Sequence, residues 1–165
     1  MRYKNKVDTY EAFYRAYRKK LFFYLIRLTG DYDLSSDIMQ ESFTRLLKHY
    51  GPEKQNPSLL FTIARNAVLD HARRTRRSEE TVENLRDHAT DTEQLLMIRQ
   101  EYRTVITAMQ QLEKTERDIL ALAADGDFSY REIADIIGIS EGHVRVKIHR
   151  ARVKLKKTLG REKKS

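Results

Sequence analysis

Phe128-Ser-Tyr-Arg-Glu-Ile-Ala-Asp-Ile-Ile-Gly-Ile-Ser-Glu-Gly-His-Val-Arg-Val-Lys-Ile-His-Arg-Ala-Arg-Val-Lys-Leu155 holds two short helical patterns around a glycine. Ser129 and Glu132 have the spacing of a capping box, in which each satisfies a backbone N–H of the other's turn, so a helix is predicted to begin there. Ile133, Ala134, Ile136 and Ile137 give it an apolar side. Gly138 can leave the helix with positive φ, Ile139 plugs the turn, and Ser140 caps a second helix. In that helix Val144, Ile148, Ala151 and Leu155 fall on one face. Arg145, Lys147, His149, Arg150, Arg152, Lys154, Lys156 and Lys157 occupy the remainder. A helical hairpin with a solvated charged face would share the pattern. The cap, the glycine turn and the one-signed exposed face together favour a helix-turn-helix that binds DNA.

The charge balance agrees. The 165 residues carry 32 basic and 24 acidic side chains, a formal net charge of +8, with a pI near 9.7. Such a balance points to a polyanion only where the charge is clustered. Here it is, in Arg73, Arg74, Arg76 and Arg77 and again between Arg145 and Lys164. The absence of cysteine excludes disulfides, thiolate catalysis and Cys-based zinc sites. No apolar run approaches the roughly 20 residues of a membrane span, and the N-terminus lacks a signal-peptide core. A soluble, cytoplasmic protein without membrane insertion is expected. With six glycines, two prolines and no alternating β-branched run, the fold is predicted to be all-α.

Outward from the hairpin, Asp8 to Glu11 suggests a cap for a first helix. Phe13, Tyr17, Leu21, Tyr24 or Leu25, and Leu28 form its inner stripe, and Gly30 ends it. Asp33 through Tyr50 reads as a second helix with Leu34, Ile38, Phe43, Leu46 and Leu47 inward. Asp37, Gln40 and Glu41 gather on its other side, and on spacing alone they are solvated helix residues. Gly51-Pro52 and Asn56-Pro57 break the chain. Ser58 is expected to cap a third helix that buries Leu59, Leu60, Ile63, Ala64, Ala67, Val68 and His71 or Ala72. Its end, Arg73-Arg-Thr-Arg-Arg77, is too charged to bury and suits phosphate.

From Ser78 to Glu93 the chain turns polar and acidic, which reads as a linker between two small helical domains. The second domain opens with a helix bearing Leu95, Ile98, Tyr102, Val105, Met109 and Leu112. Thr115 is expected to cap the next, which buries Ile119, Leu120, Leu122 and Ala123 before Asp125-Gly126-Asp127. The predicted boundaries are therefore 1–77, linker 78–93, and 94–165.

Three motifs in this order resemble the bacterial RNA polymerase sigma factors of the small, two-domain extracytoplasmic-function (ECF) group, in the sigma-70 family. Asp37-Ile-Met-Gln-Glu-Ser-Phe43 is similar to that family's core-polymerase-binding pattern D-x-x-Q-E-x-F. Phe61-Thr-Ile-Ala-Arg-Asn-Ala-Val-Leu-Asp70 resembles its promoter-melting segment. Ser140-Glu-Gly-His-Val-Arg-Val-Lys-Ile-His-Arg-Ala-Arg152 resembles its recognition helix, E-G-T-V-x-S-R-x-x-R-A-R. Each motif alone is weak; their order, spacing and polar linker are together highly specific, over nearly the whole chain.

The resemblance assigns what spacing could not. It implies that Asp37, Gln40 and Glu41 dock on the β′ clamp helices of core RNA polymerase, against the solvated reading above, with the β flap as a second contact. It implies −10 contacts by Arg65, Asn66, Asp70, Arg73 and Arg74, with Asn66 reading a base flipped from the non-template strand. An amide can address an exposed Watson–Crick edge as donor and acceptor. Arg145, Lys147, His149, Arg150 and Arg152 would face the −35 duplex. Promoter DNA and an anti-sigma factor are the further partners implied. Where the family usually has Trp, Thr and Ser, this chain has Leu59, His143 and Val146, so no stacking role is carried to Leu59 and no standard −35 sequence is assumed.

Two other classes compete. A stand-alone helix-turn-helix regulator binding duplex DNA explains residues 94–160 but leaves the Asp37 face and the Asn66 segment without a role. An enzyme on nucleic acid is poorly supported. His49, His71, His88, His143 and His149 lack metal spacing, no nucleotide-binding glycine loop occurs, and no catalytic residue, metal or cofactor is expected.

Overall fold

A computed structural model describes residues 2–81 and 99–164, with side chains for 8–78 and 99–164. Among these the chain is all-α, as its periodicity predicts. The helices are α1 (Arg2–Thr29), α2 (Tyr32–Tyr50), α3 (Pro57–Thr81), α4 (Gln100–Gln110), α5 (Lys114–Ala123), α6 (Tyr130–Ile137) and α7 (Glu141–Glu162). Of the predicted linker 78–93, residues 78–81 continue α3, whereas 82–93, Leu95 and Ile98 lie outside the described residues.

Helices α1, α2 and α3 pack mutually, as do α5, α6 and α7, with α4 laid on α7. Leu21, Leu25, Ile26, Leu46 and Leu60 are fully buried in the first group, and Ile119, Ile133 and Val144 in the second. Each such side chain contributes about 1.5–3 kcal/mol by leaving water. The two groups are not separate bodies. Helix α1 also packs on α4 and α5, and α3 on α6, so one hydrophobic cluster runs from Phe13 to Ala151. At the seam the Phe61 and Phe128 rings meet edge to face with centroids 4.9 Å apart, and Phe23 meets Tyr102 at 5.3 Å.

Several helix ends differ from the sequence reading, for local reasons. α1 begins at Arg2, well before Asp8. The side-chain cap of α3 is Asn56, whose Oδ1 accepts from Leu59 N–H at 3.2 Å. Glu113, rather than Thr115, caps α5, its carboxylate accepting from Thr115 and Glu116 N–H. Both corrections put a longer or earlier acceptor in the place of a hydroxyl already inside the helix. Leu47 on α2 and His71 and Ala72 on α3 are exposed rather than inward; Leu46 beside Leu47 takes the fully buried position.

Gly30 closes α1 at φ +68, and a Cβ there would sit 3.0 Å from the Gln110 side chain. That close approach brings α4 onto the end of α1, where Gln110 Nε2 donates to Arg27 O at 2.9 Å.

Candidate nucleic-acid and polymerase interfaces

The helix-turn-helix is built as its sequence predicts. Ser129 Oγ accepts from Glu132 N–H while the Glu132 carboxylate accepts from Ser129 N–H, a complete capping box. Gly138 ends α6 at φ +81, in the left-handed region that a Cβ disfavours. Ser140 caps α7 through His143 N–H. Val144, Ile148 and Ala151 are buried against the domain, which turns the opposite side of α7 outward.

That outward side is less uniform than its sequence. His149, Arg150 and Arg152 are exposed and form no ion pair with a described residue. Arg145 is exposed but braced, its guanidinium 2.8 Å from Glu141 and 5.6 Å over the Tyr130 ring. Lys147 leans back to the Glu113 carboxylate at 3.6 Å, and Lys154 to the buried Glu116 at 2.8 Å. Val146 and Val153 stand in solvent among these cations.

On α3, Asn66 faces outward at a depression of about 460 Å³ lined by Arg45, His49, Tyr50 and Ile63. The end of α2 supplies three of those residues, and sequence reading assigned none of them. The one available signal was the run Lys48-His-Tyr50 closing an amphipathic helix with a ring that has no inward position. Arg73 and Arg74 are exposed, with Arg73 3.7 Å from Asp70 one turn back.

Arg65 is placed differently. Its Nε donates to Asp118 Oδ2 at 2.6 Å, across the seam to α5, and only 18% of its side chain is exposed. The phenol of Tyr24 donates to the other Asp118 oxygen at 2.7 Å. Burial pushes the Asp118 carboxyl up from its ordinary pKa, against the pull of Arg65 and Tyr24. Burial, then the facing carboxylate, holds the Tyr24 phenol well above its own.

Two more arginines cross the same seam. Arg27 donates in a fork to both Asp125 oxygens at 2.9 and 3.0 Å, and to Tyr102 Oη at 2.8 Å. Arg117 reaches back to Leu28 O at 3.2 Å while binding Gln110 and Leu112 carbonyls of its own half; burial lowers its pKa.

On α2, Asp37, Gln40 and Glu41 are exposed on the side opposite Ile38, Phe43 and Leu46. The carboxylate of Glu41 pairs with Arg45 one turn on. Among the described residues no cluster of His, Asp or Glu could hold a metal ion, and no helix is long and apolar enough to cross a membrane.

An all-α chain with a helix-turn-helix whose last helix is basic and with an arginine-rich third helix belongs to the class of DNA-binding transcription proteins. The comparisons narrow it. Residues 13–78 match Sigma-70 region 2, and residues 102–155 match Sigma-70, region 4. The ECF RNA polymerase sigma factor SigM of Bacillus subtilis is 30% identical over 156 residues, which is 90% of this chain and 93% of that protein. The RNA polymerase sigma factor YlaC of the same organism is 29% identical over 160 residues, 92% of each. Among solved structures, the sigma factor RpoE of Bartonella quintana, crystallised with the anti-sigma factor NepR, shares the fold. Its TM-score is 0.73 at 19% identity, over 89% of this chain and 94% of that one.

The chain belongs to the RNA polymerase sigma factors of the ECF group. It directs promoter-specific transcription initiation through RNA polymerase, and the stand-alone regulator is not the favoured reading.

Proposed function

We propose a division of that task along the chain. Residues 1–77 bind core polymerase and read and open the −10 element, 78–93 link, and 94–165 read the −35 duplex. The observation that carries this is Asn66, exposed at the rim of a depression whose wall includes the Tyr50 ring. Extruding a base costs a few kcal/mol, and a pocket offering an amide and an aromatic face can return it. The chain carries no nucleotide-binding glycine loop, so contacts to the opened strand are the energy source it offers. Arg73 and Arg74 would hold the flanking backbone by charge, with Asp70 orienting Arg73.

On the duplex side, His149, Arg150 and Arg152 are free to enter the groove, with Arg145 pre-braced by Glu141 and Tyr130. Lys147 contributes once it leaves Glu113. Asp37, Gln40 and Glu41 dock on the β′ clamp helices, and the C-terminal half meets the β flap. The solved neighbour's complex supports an anti-sigma factor as a further partner, and the family's shared task supports a cytoplasmic location. Rate enhancement here comes from binding energy, with no catalytic chemistry of the chain's own.

Transcription in vitro with purified core polymerase on genomic fragments tests the whole reading, since initiation sites should appear only when this chain is added. Within that assay, the double variant Asp37→Lys, Glu41→Lys should weaken core binding about tenfold or more, because it sets like charges against each other where opposite ones met. The far-UV helical signal should not change. Equal core affinity in the double variant would remove α2 from the interface.

A further inference from the structure

We propose that Val146 selects a thymine in the −35 element by packing on its 5-methyl group. The inference deepens the reading above, that α7 is the duplex reader, and rests on it.

Single exposed aliphatic side chains are ordinary on a protein surface; position distinguishes this one. Val144, Ile148 and Ala151 fix the inward side of α7. Val146 follows Val144 by two residues, about 200° around a helix of 3.6 residues per turn, so it stands on the midline of the outward face. It is 48% exposed and lies outside the hydrophobic cluster. His149 and Arg150, both exposed, flank it one turn on. Packing therefore gives no reason for a valine here, and a β-branched side chain does little for a solvated helix.

The midline is also low. One turn before Val146, on the same side, is Gly142, where an added Cβ would meet only Ser140 Oγ at 4.0 Å. Its φ is not positive, and glycine inside a helix is destabilising relative to alanine. Neither the turn nor the packing of the free chain requires it. A missing side chain at Gly142 and a short one at Val146, bordered by longer polar side chains, form a shallow notch along the helix. A major groove fits that relief: its phosphate walls take the cations, while the N-terminal half of the helix approaches the base edges.

Chemistry then picks the base. In the major groove thymine presents a methyl group, whereas the other bases present donors and acceptors there. An isopropyl group set against those would strip them of water and return no hydrogen bond. Against the methyl both partners are apolar, and the same contact is favourable. Val146 thus prefers thymine and penalises its replacements.

The test uses holoenzyme, the full chain on core polymerase, and a −35 element selected from random duplexes. Each thymine of that element, on either strand, is replaced in turn by deoxyuridine, which deletes the methyl and keeps every hydrogen-bonding group. One replacement should weaken holoenzyme binding about three- to fivefold, the scale of one buried methyl group. With Val146→Ala that replacement should have no effect. Val153→Ala is the control. Val153 is 55% exposed on the same side but about 10 Å further along the axis, past the N-terminal residues that meet bases, so the methyl response should persist. Both variants change exposed side chains, and their far-UV helical signals should match wild type.

The proposal is overturned by a selected element without thymine, or by an element in which no deoxyuridine weakens binding. A methyl response that survives in Val146→Ala, or that vanishes equally in Val153→Ala, also overturns it. If a scrambled −35 element binds as well as the selected one, the duplex-reading role of α7 falls with it. An element whose sequence matters while its methyl groups do not leaves that role standing and removes Val146 alone.

Discussion

On α7, His149, Arg150 and Arg152 are exposed, with no described carboxylate in an ion pair with them. On α3, Arg65 is 2.6 Å from Asp118 and mostly covered. Both helices carry cations in motifs that resemble DNA-reading segments, yet one presents its cations and the other keeps the central one inside the molecule. Helix position explains the difference. α7 packs through Val144, Ile148 and Ala151 on one side, so His149, Arg150 and Arg152 on its other side point away from the packed helices. α3 lies between α2 and α6 and must share its polar side with the partner half. The same kind of side chain is thus left open on one helix and tied across the seam on the other.

The comparison breaks first at the shared core. If both surfaces sit on one body, Ile133→Ala in α6 should destabilise them together. Burying an isoleucine fully and then truncating it costs about 2–5 kcal/mol, and Ile133 is 0% exposed. Denaturant unfolding followed by probes in α2 and α7 should show one transition, shifted equally in both. A shift confined to the α7 probe would mean two independent bodies and remove the contrast drawn between them.

Next in size is Asn66→Ala, with an expected loss of about 10- to 100-fold in open-complex formation, the range of one two-point base contact. Duplex and core binding should stay near wild type. On a template already melted at −10 the opening cost is met, so part of the activity should return, the remaining deficit being the base contact that alanine cannot make. Permanganate footprints on the two templates measure both. Wild-type opening on the intact duplex would show that the depression beside Tyr50 holds no base.

On the free surface the prediction is a split. Arg150→Ala should relax base preference at one −35 position by about 1–3 kcal/mol. Lys156→Ala, further along α7, should weaken all duplexes alike and lower the salt slope by about one. Equal losses on selected and random duplexes for both variants would erase the division between reading and holding.

The exposed face of α7 was far more legible in the sequence than the contacts of Arg65 across the seam. Ser129, Glu132, Gly138, Ser140 and Val144 act within a few residues of themselves, so cap, turn and buried face follow from spacing alone. Asp37, Gln40 and Glu41 read as solvated residues until the family pattern was considered, because an exposed docking face and a solvated face obey the same physics. Asp118 had no signal of this kind. In Thr115-Glu-Arg-Asp-Ile-Leu-Ala-Leu122 it looks like any helix acid, and its burial comes from Tyr24 and Arg65, 94 and 53 residues away. Arg27 lay outside the inner stripe named for α1, and its burial comes with Asp125, 98 residues away. Helix ends erred for a smaller reason: Asn56 and Glu113 each precede a hydroxyl that had the expected spacing.

The smallest effect probes a place where a cation of α7 is tied back to another helix. Glu113 caps α5 and also holds Lys147 of α7. Partial burial raises its carboxyl, but two backbone N–H groups and Lys147 outweigh that, and its pKa is lowered. A carboxylate lowered in the folded state stabilises above its unfolded pKa. That contribution is lost as pH falls from the ordinary glutamate value near 4.5 through the lowered one. Glu113→Gln should thus cost about 1 kcal/mol or less at neutral pH, as a weakened N-cap does, and the deficit should fade in acid. The same change releases Lys147 toward solvent, so duplex binding should gain about one unit of salt slope even as stability drops. Opposite signs in the two measurements distinguish a restrained DNA contact from a cap alone. A stability loss with an unchanged salt slope would leave Lys147 a structural residue, and would narrow the duplex-facing set to Arg145, His149, Arg150 and Arg152.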